Sequence, residues 1–182
     1  LSATCIDDPY KNISDIGVNP LTRSALEKIF MDTSGNYWSY KDGWMNSSNE
    51  CYWFGIACAN YTYILNGTTY RHIIAIELLY NNLTGPVPDL SMLSYLEVVS
   101  LAGNNLWGTL PDSFGNLSGL LGLDLSDNYI SGPIPESIGK FTGLWLLDFT
   151  LNDIDGTIPS SLGQLTDMRL LDISFNFMTG TL

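Results

Sequence analysis

The stretch LLGLDLSDNYISGPIPESIGKFTG, Leu120 to Gly143, decides how this chain folds, because the chain repeats it. Aligned on their leucines, other copies read LEVVSLAGNNLWGTLPDSFGNLSG from Leu96, LWLLDFTLNDIDGTIPSSLGQLTD from Leu144 and MRLLDISFNFMTGTL from Met168. An earlier copy from Ile73, IIAIELLYNNLTGPVPDLSMLSY, is one residue short. The period of 24 residues, the step from Leu96 to Leu120 and from Leu120 to Leu144, keeps three columns in register. Asn81, Asn104, Asn128, Asn152 and Asn176 form the first, Gly85, Gly108, Gly132, Gly156 and Gly180 the second, and Pro88, Pro111, Pro135 and Pro159 the third. A fixed period of this length is the signature of a solenoid.

Before each asparagine the segment x-L-x-L alternates apolar and polar residues, the pattern of a strand with one face buried. Stacking the copies predicts a parallel sheet with strands about 4.8 Å apart. The chain must then turn, and a buried asparagine there is expected to bond the backbone of its own coil and of the next, satisfying groups that no water reaches. Glycine permits the bend that follows, and proline fixes φ where the convex return begins, as in IPESIGKF. No coil buries its apolar side alone, so stability comes from the neighbours.

Upstream, NPLTRSALEKIFMDTSGNYW reads as a helix. Asn19 is placed to cap it, Pro20 sits at its first position, Leu21, Ala25, Leu26, Ile29 and Phe30 make an apolar stripe, and Gly35 lies past its end. That stripe would cover the open end of the leucine core. In YTYILNGTTYRHI, Asn-Gly between two Tyr/Thr/Ile-rich runs predicts a type I′ hairpin pairing Tyr61–Leu65 with Thr68–His72, and His72 reads as an ordinary half-exposed strand residue. The chain thus divides into an N-terminal extension (1–18), a cap (19–72) and a solenoid of about five repeats of 23–24 residues (73–182). It stops mid-repeat at FMTGTL, and the natural chain is expected to continue into further repeats and a stalk, membrane span or kinase.

The pattern L-x-x-L-x-L-x-x-N-x-L-x-G-x-[IVL]-P-x-x-[LIF]-G-x-L, running from Ile73 to the end, resembles the plant-type leucine-rich repeat of plant receptor-kinase ectodomains, polygalacturonase-inhibiting proteins and protist surface proteins. WSYKDGWMNSSNECYWFGIAC is similar to that family's cap phrase, a Gly-Trp followed by C-x-W-x-G-[IV]-x-C, which Trp38, Trp44, Trp53 and the cysteine pair match. Taken alone, Cys51 and Cys58 leave open a redox pair, half of a metal site or a structural disulfide. The resemblance implies a Cys51–Cys58 disulfide that staples the cap. It also implies the fold class, an α/β leucine-rich-repeat solenoid with the parallel sheet on the concave face, short helical or irregular convex segments, and a helical cap with a β-hairpin. Cys5 lies outside the phrase, and in an oxidising compartment a lone thiol is expected to pair with the missing region or with another chain.

A net charge of −12, with only seven basic residues scattered singly, argues against nucleic acid and anionic membranes as partners. The longest apolar run, HIIAIELLY, is too short to span a membrane and carries Glu77. Asn-X-Ser/Thr acceptors at Asn12, Asn46, Asn60, Asn66, Asn82 and Asn116 predict N-linked glycans and an extracellular or cell-surface location. No phosphate-binding glycine loop or Ser/Cys nucleophile phrase is present, and one histidine cannot supply both acid and base, so no catalysis, metal or cofactor is expected. Carboxylate pairs alone could serve a glycosidase, but here the acids fall on repeat positions.

Asp124 and Asp148, with Asp172, share one strand column completed by Glu77 and Ser100, and would line the concave face as an acidic strip; the same L-D-[LIF]-[ST] phrase is common in the repeat family. Positions around the asparagine column are free of packing duty, and there Tyr80, Tyr129, Leu151, Phe175 and Phe177 are candidate partner contacts on the concave side. Trp107 and Trp145 lie nearer the flanks. The expected function is an extracellular, non-catalytic glycoprotein binding a protein, peptide or glycan through its concave face; the alternative is a self-associating building block of a wall, sheath or filament.

Overall fold

The computed structural model describes residues 12–180; Cys5 lies outside the described residues, and with it the expectation about its partner. The cap comprises α1 (Pro20–Asp32) and the hairpin strands β1 (Ile56–Leu65) and β2 (Thr68–Glu77). Eight short strands follow, two per coil until the last: β3 (Thr84–Pro86), β4 (Val98–Ser100), β5 (Asn105–Gly108), β6 (Gly122–Asp124), β7 (Tyr129–Pro133), β8 (Leu146–Asp148), β9 (Asp153–Asp155) and β10 (Leu170–Asp172).

The strands before the asparagines form the expected parallel sheet, β2-β4-β6-β8-β10, with β1 antiparallel at its edge. Its register aligns Glu77, Ser100, Asp124, Asp148 and Asp172 in one column. The return begins at Pro111, Pro135 and Pro159, each extended and each followed by a 3-10 turn, Asp112–Asn116, Glu136–Lys140 and Ser160–Gln164. A second parallel sheet, β3-β5-β7-β9, adds to the sequence reading. Its cause is the apolar residue two places after each asparagine: Leu83, Leu106, Ile130 and Ile154 are buried, which holds the chain extended past the turn and in register with the coil before.

The asparagine column binds the coils together. Asn128 Nδ2 donates to Leu125 O and Ser126 O of its own coil and to Leu101 O of the preceding one, while its Oδ1 accepts from Leu106 N. Asn104, Asn152 and Asn176 repeat the arrangement. The bridge therefore runs to the preceding coil rather than the next: the amide reaches back to the strand end already laid down. Successive asparagines share carbonyls, so Leu101 O accepts from both Asn104 and Asn128.

The cap closes the first coil. Asn19 Oδ1 accepts from Leu21 N and Thr22 N, both at 3.0 Å, fixing the start of α1. Leu26, Ile29 and Phe30 are buried, but Leu21 is 68% exposed and leaves the expected stripe. It precedes Leu26 by five residues and Phe30 by nine, so at about 3.6 residues per turn it points away from both. Phe30, Trp38, Trp44 and Trp53 form a chain of rings with centroids 5.1, 4.8 and 4.8 Å apart. The Cys51–Cys58 disulfide is present beside them, Cα atoms 5.5 Å apart. Ile16 and Val18, assigned by sequence to the extension, are buried in the cap, and Val18 N donates to Glu50, itself buried and ion-paired with Arg23. The first coil docks where Gly85 meets the end of α1: a Cβ there would lie 2.1 Å from Asp32 O. Asn81 seals the same junction through both Tyr40 N and Tyr40 O.

Candidate functional site

Between the two sheets each coil turns through a residue in the left-handed region just before the ladder asparagine, Tyr80, Gly103, Asp127, Leu151 and Phe175, with φ between 50° and 66°, and the first coil adds Asn82 at 59°. The ladder asparagine comes next, then the first residue of the second sheet's run. This turn aims two side chains per coil off the flank where the sheets meet. Three of the resulting pairs, Asp127/Tyr129, Leu151/Asp153 and Phe175/Phe177, line a cleft of about 440 Å³ floored by Asn128, Asn152 and Asn176. Tyr129, Leu151, Phe175 and Phe177 are all at least half exposed.

The structure thus brings together four of the five apolar residues singled out in the sequence, but on the rim between the sheets rather than on the concave strands. Concave positions belong to the strand residues, and the left-handed turn has already rotated the next side chains off that face. Tyr80 does not join the cleft. Its ring lies across Gly103, where a Cβ would come within 2.2 Å of it. Trp107 sits in β5 of the second sheet, while Trp145 lies apart from the cleft beside Thr166, Asp167 and Arg169.

Asp124 and Asp148 do lie on the concave sheet, yet their carboxylates are engaged locally. Asp124 Oδ1 accepts from Ser126 N at 3.0 Å and Ser126 Oγ at 2.7 Å; Asp148 Oδ1 accepts from Thr150 N at 2.9 Å. Asp172 does the same with Ser174, whose hydrogen bonds hold its carboxyl below the usual carboxylate range. These aspartates pin the strand-to-turn junction. The carboxylates at the cleft are Asp127 and Asp153, which sequence reasoning left among the free positions because acid residues there look like ordinary solvated surface.

All six glycan acceptors, Asn12, Asn46, Asn60, Asn66, Asn82 and Asn116, are exposed. None falls between Leu117 and the end of the sequence, the stretch that builds the cleft. Among the described residues no helix is long and apolar enough to cross a membrane.

Two stacked parallel sheets, an asparagine ladder and a tryptophan-rich stapled cap define a leucine-rich-repeat solenoid of the kind found in plant receptor ectodomains. The comparisons with known proteins agree. Residues 94–154 match the leucine rich repeat family. Receptor-like protein 47 of Arabidopsis thaliana is 30% identical over 116 residues, covering 54% of this chain and only 14% of that protein's length. A chain in the crystal structure of the Arabidopsis thaliana BIR3–SERK2 complex is 30% identical at a TM-score of 0.70, over 86% of this chain and 82% of that one. The Arabidopsis receptor kinase HAESA, in complex with the peptide hormone IDA and the co-receptor SERK1, gives a TM-score of 0.74 at 28% identity, over 90% of this chain and 27% of that one. The chain belongs to the plant-type extracellular leucine-rich-repeat family.

Proposed function

We propose that this chain is the recognition module of an extracellular, N-glycosylated, non-catalytic receptor-like protein, and that it holds a protein or peptide partner in the rim cleft. The observation that carries this reading is the gathering of Tyr129, Leu151, Phe175 and Phe177 in one exposed rim cleft with no packing role inside the coil. Two neighbouring carboxylates and no basic lining residue favour a ligand that pairs an apolar side chain with a cation. No predicted glycan acceptor lines the cleft. Family members in complexes with a peptide hormone and with a co-receptor support the partner class.

The test is to pan a random peptide library against the purified protein and re-measure the selected peptides on Leu151→Gly and Phe175→Gly. Glycine is the right replacement because both positions lie in the left-handed region. Enriched peptides carrying a basic residue beside an apolar one should lose about tenfold or more in affinity on each variant, with thermal stability retained. Failure to enrich any peptide, or equal binding to both variants, refutes the reading. Self-association abolished by the same variants would instead assign the cleft to assembly of copies.

A further inference from the structure

A second, separate constellation lies on the cap. In the hairpin, His72 of β2 stacks on Tyr63 of β1, centroids 4.1 Å apart and planes 6° apart, and its other face meets Tyr95 from the loop before β4 at 3.5 Å. Tyr63 is tied in turn to the start of α1 by Asn19, whose Nδ2 donates to the Tyr63 hydroxyl. The stack is therefore assembled from three elements and held before any ligand arrives. Beside it opens a cleft of about 290 Å³ lined by Asn19, Thr22, Leu65, Met92 and Ser94 together with the three rings. His72 covers one face of Tyr95, yet Tyr95 remains 53% exposed, so much of that ring stays accessible at the cleft.

The chemistry of this lining is unusual for the chain. In a protein of net charge −12, no charged side chain lines the cleft. Burial pushes the His72 imidazole below its usual pKa, so the middle ring is neutral at pH 7. What remains is a flat π-face, short hydroxyl and amide groups, and a volume at the lower end of small-ligand pockets. An anion would find no cation there, a basic peptide no carboxylate, and a purely apolar ligand would strand the hydroxyls. A sugar ring matches all three features: its axial C–H face packs on an aromatic ring, its hydroxyls bond short polar side chains, and it carries no charge. We infer that this cap cleft binds a neutral pyranose unit of a foreign glycan, stacked on Tyr95 and hydrogen-bonded by Thr22 and Ser94. It shares no residue with the rim cleft and does not depend on the reading given for it.

Saturation-transfer NMR and calorimetry with cellohexaose, chitohexaose and mannohexaose test this, with a hexameric oligogalacturonate as the anionic comparison. At least one neutral hexasaccharide should bind, with transfer strongest at ring C–H protons, and the anionic one should not. Tyr95→Ala should weaken that binding about tenfold or more, and Met92→Arg, at a 62% exposed position, should block it without touching the stack. Phe175→Gly, on the rim, should leave it within about twofold. The inference is overturned if no neutral hexasaccharide binds at millimolar concentration, if the oligogalacturonate binds as well, or if binding survives Met92→Arg.

Discussion

Asn128→Ala removes the centre of the ladder, and the structure allows its cost to be worked out bond by bond. Leu106 N–H loses the Asn128 Oδ1 acceptor at 3.0 Å and is left buried without a partner. An orphaned buried donor costs about 1–3 kcal/mol. Three carbonyls lose a donor but not their last one: Leu101 O keeps Asn104, Leu125 O keeps Asn152, and Ser126 O keeps Gly103 N. Each of those losses belongs at the low end of a net hydrogen bond, about 0.5 kcal/mol. The expected destabilisation is therefore about 3 kcal/mol, read as a drop in the urea midpoint at constant m-value by tryptophan fluorescence. Asn128→Asp should be worse at pH 7, because it turns the donor toward three carbonyls into a second negative oxygen. Asn176, half-buried and making the same bonds, is the internal control, and Asn176→Ala should lose no more than Asn128→Ala. An Asn128→Ala protein within about 1 kcal/mol of the parent, or an Asn176→Ala protein that loses more than Asn128→Ala, would refute the account of the ladder.

Replacing both cysteines, Cys51→Ala with Cys58→Ala, opens a loop of sequence separation 7, for which chain entropy predicts a loss of about 2.5 kcal/mol in the same urea assay; a loss under about 1 kcal/mol would mean that the tryptophan cluster alone sets the cap. Acid should destabilise the convex turns. Burial alone would raise Asp89, but hydrogen bonds from Ser91 and Ser113, with Lys28 nearby, hold it below its usual range, and bonds from Ser161 and Ser160 do the same for Glu136. With folded values below the unfolded ones, this stabilisation is complete above a pH of about 4.5 and is lost as pH falls through the folded values. The melting temperature measured from pH 6 to pH 3 should fall, and Asp89→Asn should flatten part of that limb; a profile that rises on acidification refutes the assignment.

The legibility of this fold followed the period. Where one residue type recurs at one spacing, as with Asn104, Asn128 and Asn152, the stacked geometry and its hydrogen bonds could be anticipated from the sequence, apart from the direction in which each amide reaches. The second sheet was also written there, in Leu83, Leu106, Ile130 and Ile154, but a lone apolar residue two places after a polar one reads equally well as turn packing. The site was legible only in its residues, not in its face. Whether Leu151 points to the concave sheet or to the rim depends on one backbone rotation, φ 56°, that a leucine gives no reason to expect. The cap cleft was hidden for a different reason: Tyr63, His72 and Tyr95 meet through tertiary packing between a hairpin and a later loop, and nothing in their spacing predicts a stack.

That rotation also separates what the fold needs from what it carries. A left-handed φ costs an L-residue roughly 1–2 kcal/mol unless something offsets it, and glycine avoids the cost. The chain adopts glycine once in this column, at Gly103, where Tyr80 occupies the space a Cβ would take. At Leu151 and Phe175 it tolerates the strain instead, and their side chains recover only part of it by burial, being 50% and 74% exposed. The ladder bonds of Asn152 and Asn176, immediately following, hold the turns in place regardless of which residue precedes them. A sequence shaped by folding alone would put glycine or asparagine at both positions. Local conflict without compensation inside the chain concentrates at functional sites, and both Leu151 and Phe175 line the rim cleft.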